Sequence, residues 1–371
     1  MLKILNARLA LATVALFAAA FLLVGCGAAP ATGWASPRIV DQAIYVASDV
    51  GKVYSIKTAD GSVNWQFPGD KNITPGSMYS TPVVADGVVY VGAFDHKLYA
   101  LDAATGGKKW EADAGAPIVS GAVVGNGVVY FGANNHKIFA VDAATGKEKW
   151  SFLTGAEVWS DMTLDGNTLY APSLDHKLYA LDATTGSKKW EFDGQGIMVG
   201  KPVVVGNTLY AAALNKVYAI DTASGKQTWD KPFEASGWVW SSLTVANGVL
   251  YFGTLDTGDV YGVDTATGTL KWSAPFKAGG PVRSALVIDQ GLAYFGSEDT
   301  KVYALDVATG AKKWTFGTGA RIHSSPAVAN GVVYVQAYDR VLYALGTDNG
   351  NAKWALDTSS GKLVSPTPVS K

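Results

Sequence analysis

Residues 80–110 read STPVVADGVVYVGAFDHKLYALDAATGGKKW, in which four short alternating segments are separated by turn residues. The alternation predicts strands at 81–85, 88–93, 97–102 and 108–112, because a strand that is buried on one side has a period of two residues. The Asp-Gly pair after the first segment is typical of a tight hairpin turn. Four antiparallel strands joined by regular turns are typical of one blade of a β-propeller.

This unit recurs along the chain. Tryptophan marks the last strand of each copy, and the spacing of about 40 residues indicates one supersecondary unit repeated eight times. We therefore predict an all-β fold, an eight-bladed β-propeller of four-stranded antiparallel blades that forms a single domain over residues 34–371. A β-sandwich would not repeat at a fixed period, and a helical solenoid would show a period of 3.6. The eight tryptophans are Trp65, Trp110, Trp150, Trp190, Trp229, Trp272, Trp314 and Trp354.

The most specific motif joins the third strand to the fourth, as in ALDAATGGKKW at 100–110 and ALDVATGAKKW at 304–314. It resembles the A-x-D-x-x-T-G-x-x-x-W docking motif of the pyrroloquinoline-quinone (PQQ) type propeller repeat. That resemblance implies that the tryptophan packs between adjacent blades and that the Asp and Thr hold the turn. WD40 repeats differ, since the tryptophan here has no Asp after it. The first and last copies, at 55–65 and 344–354, depart from the motif, and we expect them at the seam where the ring closes.

The chain continues past the last copy as KLVSPTPVSK, residues 362–371. This segment resembles the start of a ninth inner strand, as a comparison with RIHSSPAV at 321–328 shows. We expect it to pack at the seam against the first blade.

Residues 1–25 have the features of a signal peptide: two early cations, Lys3 and Arg8, and then an apolar run that is short for a membrane span. The run ends in Leu-Val-Gly-Cys, which resembles the bacterial lipobox. We expect acyl chains on Cys26, residues 26–33 as a tether, and anchoring to the outer face of the cytoplasmic membrane or to the outer membrane. The alternative is an ordinary signal peptide that happens to contain a cysteine.

Composition bears on the partners. Charged residues make up 16% of the chain and the formal net charge is −1. A nucleic-acid partner is not expected, because nucleic-acid-binding proteins usually present a basic face or stripe.

The copies differ most at one position, just before each inner strand and beside one mouth of the central channel. Large aromatic side chains and arginine dominate binding hot spots, so this position predicts a surface for a partner or ligand. The alternative is that these side chains only cap the channel and exclude water. In blade order the position holds Trp34, Tyr79, Val119, Trp159, Val199, Trp240, Arg283 and His323, with Trp238 two residues before Trp240. The binding candidates are Trp34, Tyr79, Trp159, Trp238, Trp240, Arg283 and His323.

No metal site and no catalytic residue are predicted. His96, His136 and His176 are 40 residues apart, so they occupy the same turn of three successive blades. Such turns lie too far apart to share one ion. The serines before the inner strands recur because the unit recurs, and no base accompanies them.

The lipobox together with eight PQQ-type copies is similar to the family of propeller lipoproteins of the outer-membrane β-barrel assembly machinery. That resemblance implies a non-catalytic scaffold that binds a protein partner in the cell envelope through the propeller face and channel mouth, without a cofactor. One alternative is a propeller that binds a sugar or aromatic ligand on Trp34, Trp159 and Trp240. A PQQ-dependent dehydrogenase is a weaker alternative, because enzymes of the alcohol-oxidising branch have a vicinal disulfide and this chain has one cysteine.

Overall fold

The computed structural model describes residues 35–70 and 72–366. Short strands and tight turns alternate through them, and none of these residues belongs to a helix long and apolar enough to cross a bilayer. The strands of blades 1 to 4 are β1 Arg38–Val40, β2 Ala43–Ala47, β3 Val53–Lys57, β4 Val63–Phe67; β5 Val83–Ala85, β6 Val88–Gly92, β7 Lys97–Asp102, β8 Lys108–Asp113; β9 Val123–Gly125, β10 Val128–Gly132, β11 Lys137–Asp142, β12 Glu148–Leu153; β13 Thr163–Asp165, β14 Thr168–Pro172, β15 Lys177–Asp182 and β16 Lys188–Asp193.

Blades 5 to 8 repeat this order, and one further strand follows the last blade. These strands are β17 Val203–Val205, β18 Thr208–Ala213, β19 Lys216–Asp221, β20 Phe233–Glu234; β21 Thr244–Ala246, β22 Val249–Gly253, β23 Asp259–Asp264, β24 Phe276–Lys277; β25 Val287–Asp289, β26 Leu292–Gly296, β27 Lys301–Asp306, β28 Lys312–Gly317; β29 Ala327–Ala329, β30 Val332–Gln336, β31 Val341–Gly346, β32 Ala352–Asp357 and β33 Lys362–Val364.

The strands form eight antiparallel sheets in which sequence neighbours pair. The inner strands contact one another in sequence from β1 to β29, and β29 contacts β1, so the ring closes. The predicted eight-bladed β-propeller is therefore confirmed. Each blade begins and ends within its own stretch of chain, so within residues 35–70 and 72–366 no sheet combines a strand from blade 1 with strands from blade 8.

The hydrophobic core lies between the blades. The two middle strands of a blade bury nearly every residue, as β10 and β11 do, because both faces of a blade pack against neighbouring blades. Eight clusters of buried side chains result, one at each interface. Between blades 3 and 4, for example, Tyr130 and Ile138 pack with Val158, Leu169 and Tyr179.

The docking tryptophans lie at the same interfaces. Trp150 of blade 3 donates its indole N–H to the carbonyl of Ala183 in blade 4 at 3.1 Å, and the hydroxyl of Tyr130 donates to the same oxygen at 3.0 Å. A Cβ on Gly186 would lie 2.7 Å from the Trp150 ring, and Gly186 has φ +75°. The turn thus requires glycine for its conformation and for the close approach of the indole. Equivalent indole bonds are made by Trp65, Trp110, Trp190, Trp229, Trp272, Trp314 and Trp354.

The carboxylate of the docking motif holds the turn beneath the indole. The Oδ1 atom of Asp182 accepts hydrogen bonds from the backbone N–H of Thr185 at 3.0 Å and from its hydroxyl at 3.1 Å. The first copy lacks this Asp, and there Asp60 accepts from the N–H of Ser62 at 2.9 Å instead. The turn is therefore kept at the seam with different side chains.

The C-terminal segment takes a different place from the one expected. Residues 362–364 form β33, which pairs with β32 as a fifth, outermost strand of blade 8. The prediction of a ninth inner strand is wrong in this respect, because the chain turns back at Gly361 rather than crossing to the channel. The segment does reach blade 1, since Leu363 lies against Gly61. Residues 367–371 fall outside the described part.

Blades 5 and 6 have shortened outer strands. Both copies carry a proline after the docking tryptophan, Pro232 in one and Pro275 in the other, and pairing resumes only at β20 and β24. Proline has no N–H for the ladder, so the interrupted edge follows from the sequence. A cavity of about 780 Å³ lies beside this edge, between residues 228–234 and the turn at 266–269.

Candidate functional site

The candidate site is one mouth of the channel, which is built from two sets of segments. One set comprises the loops that lead into the inner strands, and the other comprises the turns between the second and third strands of each blade. The two are hydrogen-bonded side by side: the N–H of Leu174 donates to the carbonyl of Glu157 at 3.1 Å, and that of Leu255 donates to Trp238 at 2.7 Å. We call the predicted variable position the loop ring. The adjoining turn position, the turn ring, holds Asp49, Phe94, Asn134, Leu174, Leu214, Leu255, Glu298 and Tyr338.

A buried serine fixes the loop in blades 3, 6, 7 and 8. The hydroxyl of Ser120 accepts a hydrogen bond from the N–H of Gly132 at 3.0 Å and donates to the carbonyl of the same glycine at 3.1 Å. Ser241 and Ser284 make the same pair of bonds in blades 6 and 7. Because the serine hydroxyl both accepts a hydrogen bond from the backbone of one residue and donates one to it, the residue before the serine in the loop ring has a fixed position at the mouth. The recurring serines thus have a structural explanation.

The structure places the described members of the predicted set at this mouth. Trp159, Trp238 and Trp240 are partly exposed there, whereas Tyr79 is buried. Tyr79 packs edge-on against Phe94, with ring centroids 5.0 Å apart. Trp34 and Cys26 lie outside the described residues.

Two loop-ring residues, Arg283 and His323, converge on one buried carboxylate, that of Glu298. The Arg283 Nε donates to the Glu298 Oε1 at 2.6 Å, and the His323 Nε2 lies 3.0 Å from the same oxygen. Arg283 and Glu298 are each 18% exposed at the side chain and His323 is 8% exposed. Burial alone would raise the pKa of Glu298, but the hydrogen bonds from His323 and Arg283 outweigh it and lower the pKa to about 2.

The network continues to Tyr338. Its hydroxyl lies 2.6 Å from the Nδ1 of His323. A carboxylate only accepts hydrogen bonds, so the Nε2 of His323 carries the proton toward Glu298 and its Nδ1 accepts from Tyr338. Burial lowers the pKa of His323 although the bond to Glu298 opposes the shift, which agrees with a neutral ring. Burial also raises the pKa of Tyr338.

The other end of the network reaches a tryptophan. The Arg283 guanidinium lies over the ring of Trp240, 5.3 Å from its centroid. Arg321, two residues before His323, covers Tyr338 at the same distance of 5.3 Å. Such cation–π contacts hold a guanidinium plane in one orientation.

The mouth therefore has two unlike parts. Blades 4 to 6 contribute an apolar arc, which we define as Trp159, Leu174, Leu214, Trp238, Trp240 and Leu255. Blades 7 and 8 contribute a polar arc, defined as Arg283, Glu298, Arg321, His323, Tyr338 and Arg340.

Sequence reasoning found the loop ring but missed the turn ring, including Glu298 and Tyr338. A signal was present, since the turn position varies between copies as strongly as the loop position does. That variation gains a meaning only from the three-dimensional pairing, which shows that this turn lies against the loop.

The three recurring histidines occupy left-handed turn positions. His96, His136 and His176 have φ values of 75°, 66° and 76°, a region in which histidine is enriched among residues other than glycine. Within residues 35–70 and 72–366, no group of three His, Cys, Asp or Glu side chains is arranged to hold a metal ion.

The model of a family described as outer membrane protein assembly factor BamB matches residues 25–121, 95–235, 194–287 and 256–371. Among curated protein sequences, no significant match is found.

Solved structures share the fold. BamB from Moraxella catarrhalis is 23% identical with a TM-score of 0.67, covering 85% of this chain and 91% of its own. The computationally designed Ika8 protein is 15% identical with a TM-score of 0.75, covering 86% and 97%. The quinohemoprotein alcohol dehydrogenase from Comamonas testosteroni is 18% identical with a TM-score of 0.66, covering 87% and 73%. At these identities the structural likeness establishes the fold alone.

Proposed function

Since this chain belongs to the family of the outer membrane protein assembly factor BamB, we propose that it is an exported, non-catalytic scaffold that binds a protein partner in the cell envelope through the channel mouth. Acyl chains on Cys26 anchor it to a membrane in this proposal, and residues 26–33 tether the propeller.

The observation that carries the proposal is the apolar arc. Loop and turn residues of blades 4 to 6 present tryptophan and leucine at a face where blades 7 and 8 present charged and polar groups. Contiguous apolar and aromatic side chains on a rigid rim are typical of protein interfaces. The paired bonds of Ser241 and the bond between Leu255 and Trp238 hold the arc rigidly, so little conformational entropy is lost on binding.

No cofactor enters this proposal. One buried acid at the mouth, Glu298, is already paired with Arg283 and His323 through its Oε1 atom, so it is a poor ligand for the cation that would accompany a quinone. Reduction of a redox dye by the purified protein, dependent on added PQQ and Ca²⁺, would contradict the non-catalytic part of the proposal.

Site-specific photo-crosslinking in the native envelope tests the interface. A benzophenone side chain at Leu214, in the apolar arc, is expected to capture one envelope protein. The matched control is the same side chain at Leu153, which is 67% exposed on the outer edge of blade 3. Equal capture from the two positions, or none from Leu214, would contradict the proposed interface.

The anchor is tested separately. The variant Cys26→Ser is expected to leave the membrane fraction, because it has no thiol for the thioether-linked lipid. Retention of this variant in the membrane fraction would contradict lipid anchoring and leave the interface proposal intact.

A further inference from the structure

The arginines of this protein are unevenly placed. The chain has five, and Arg283, Arg321 and Arg340 all lie in blades 7 and 8 at the mouth. Most other cationic side chains are lysines, many of them on the third and outer strands, as at Lys97 and Lys177. Arginine differs from lysine in presenting a planar fork that matches a carboxylate in two-point contact. The polar arc is therefore chemically distinct from the rest of the surface.

Two of these three arginines are already paired. Arg283 is bonded to Glu298 at 2.6 Å. Arg340 donates from Nη2 to Asp49 at 2.7 Å, and its Nε lies 3.1 Å from the same oxygen. Arg321 differs, since within the described part of the chain no acidic group lies within ion-pair distance of it.

Arg321 is nevertheless held in place. Its guanidinium lies over the face of Tyr338, and its carbonyl accepts a hydrogen bond from the Tyr338 N–H at 3.0 Å. The residue itself is exposed. A guanidinium that is stacked on one face keeps its N–H edge available and loses little freedom when that edge binds.

The nearby carboxylates are hydrogen-bonded to groups other than Arg321. Asp339 accepts hydrogen bonds from the Tyr343 hydroxyl at 2.7 Å and from the Gly319 N–H at 2.9 Å. Glu298 is shared by Arg283 and His323. The arc therefore contains one fixed cation for which the fold supplies no anion.

We propose that Arg321 binds a side-chain carboxylate of an extended segment of the partner protein, in which an apolar residue adjoins the acid. This proposal deepens the function proposed above and rests on it. In the neighbouring blade, Arg283 lies over Trp240, whose partly exposed ring belongs to the apolar arc. An acidic residue beside an apolar one would complement this order of cationic and aromatic surface.

Binding of synthetic peptides to the full propeller tests the assignment. The probe is a fluorescein-labelled peptide of alternating leucine and glutamate, and its control has glutamine for glutamate. Fluorescence anisotropy is expected to show about tenfold tighter binding of the glutamate peptide, the value of one charge-assisted hydrogen bond. That preference should weaken with added salt.

Variants assign the preference to Arg321. Arg321→Gln is expected to abolish it, whereas Lys313→Gln, which removes an equal charge from an outer strand, should retain it. An unchanged preference in Arg321→Gln would overturn the proposal. Inorganic phosphate that competes as well as glutamate does would also overturn it, since the site would then be a general anion site. Circular dichroism establishes that both variants are folded.

The two proposals fail separately. If Arg321→Gln keeps both the peptide preference and the Leu214 crosslink, the scaffold function stands and the carboxylate assignment fails. If Leu214 gives no crosslink while the glutamate preference is lost in Arg321→Gln, the carboxylate site stands and the scaffold function fails.

Discussion

The interface between blades 3 and 4 and the seam between blades 8 and 1 contain the same pair of hydrogen bonds, from a tryptophan and a tyrosine to one carbonyl, which we call the lock. The two interfaces differ in their other contacts. At the first, Trp150 and Tyr130 both donate to Ala183. At the seam, Trp354 and Tyr334 both donate to Thr58, at 3.3 and 3.1 Å. Blades 3 and 4 are also joined directly by the chain, whereas blade 1 comes first and blade 8 last among the described residues, so the two meet only through non-covalent contacts.

The seam adds contacts where chain continuity is missing. Arg340 pairs with Asp49, the Gln336 amide donates to the carbonyl of Ala47 at 3.3 Å, and β33 lies over the outer edge of blade 8. The ammonium of Lys52 also donates to the carbonyl of Ser359 at 2.9 Å. The repeated lock alone therefore does not replace the missing chain connection. Contacts specific to the two end blades offset it.

The largest expected effect comes from the lock itself. Trp150→Ala should lower the free energy of unfolding by about 3 kcal/mol, since it removes a large, partly buried ring that packs between two blades and leaves a cavity. Trp354→Ala should cost the same if the locks are equivalent. Urea denaturation of the two variants measures the difference. A much smaller loss for Trp354→Ala would show that the added contacts, and not the indole, hold the seam.

Glu298 gives the next effect, at the interface between blades 7 and 8. A pKa that falls from 4.5 to about 2 on folding corresponds to roughly 3 kcal/mol of stability, which is present above pH 4.5 and is lost as the pH falls toward 2. Glu298→Gln is expected to flatten the acid limb of the stability profile in this window. Asp339→Asn is the control, because burial raises the pKa of Asp339. A profile unchanged by Glu298→Gln would contradict the assigned network.

Asp49→Asn should have a smaller effect, about 1–3 kcal/mol, because it weakens a charged hydrogen bond at the seam. The Asp49 side chain is 2% exposed, but its partner Arg340 is 35% exposed and can be solvated. Chemical denaturation of Asp49→Asn and of Asp182→Asn, measured in parallel, compares the two kinds of interface, because Asp182→Asn alters a regular docking turn. The seam idea fails if Asp49→Asn is as stable as the wild type.

Removal of residues 362–371 should have the smallest effect, about 1 kcal/mol, since Leu363 is 56% exposed and buries only part of its side chain. The loss is expected at the seam, as faster amide hydrogen exchange in β32 and at residues 57–62. Uniform exchange changes around the ring would argue against a local role. Leu363→Ser in the full chain is the control that keeps the strand but removes the apolar contact.

Most of the fold was predictable because the same local sequence pattern recurs eight times. The strand alternation, the turn glycines and the tryptophan spacing agreed, and the structure confirmed the propeller. The outer strands of blades 5 and 6 were not foreseen, although Pro232 and Pro275 explain their interruption. The site was half foreseen: alignment of copies found Arg283 and His323, but not Glu298, which joins them.

The sequence by itself determined the number of blades, their strand order and the residues that lock them, because these depend on local periodicity and on a motif repeated at fixed spacing. Only the tertiary structure decided which loop lies against which turn and where the C-terminal strand pairs. It also decided which arginines acquire an acidic partner. Among these contacts, the pairing of Arg340 with Asp49 joins residues 291 positions apart. That pairing depends on closure of the ring, which brings the two ends of the chain together and which no local pattern encodes.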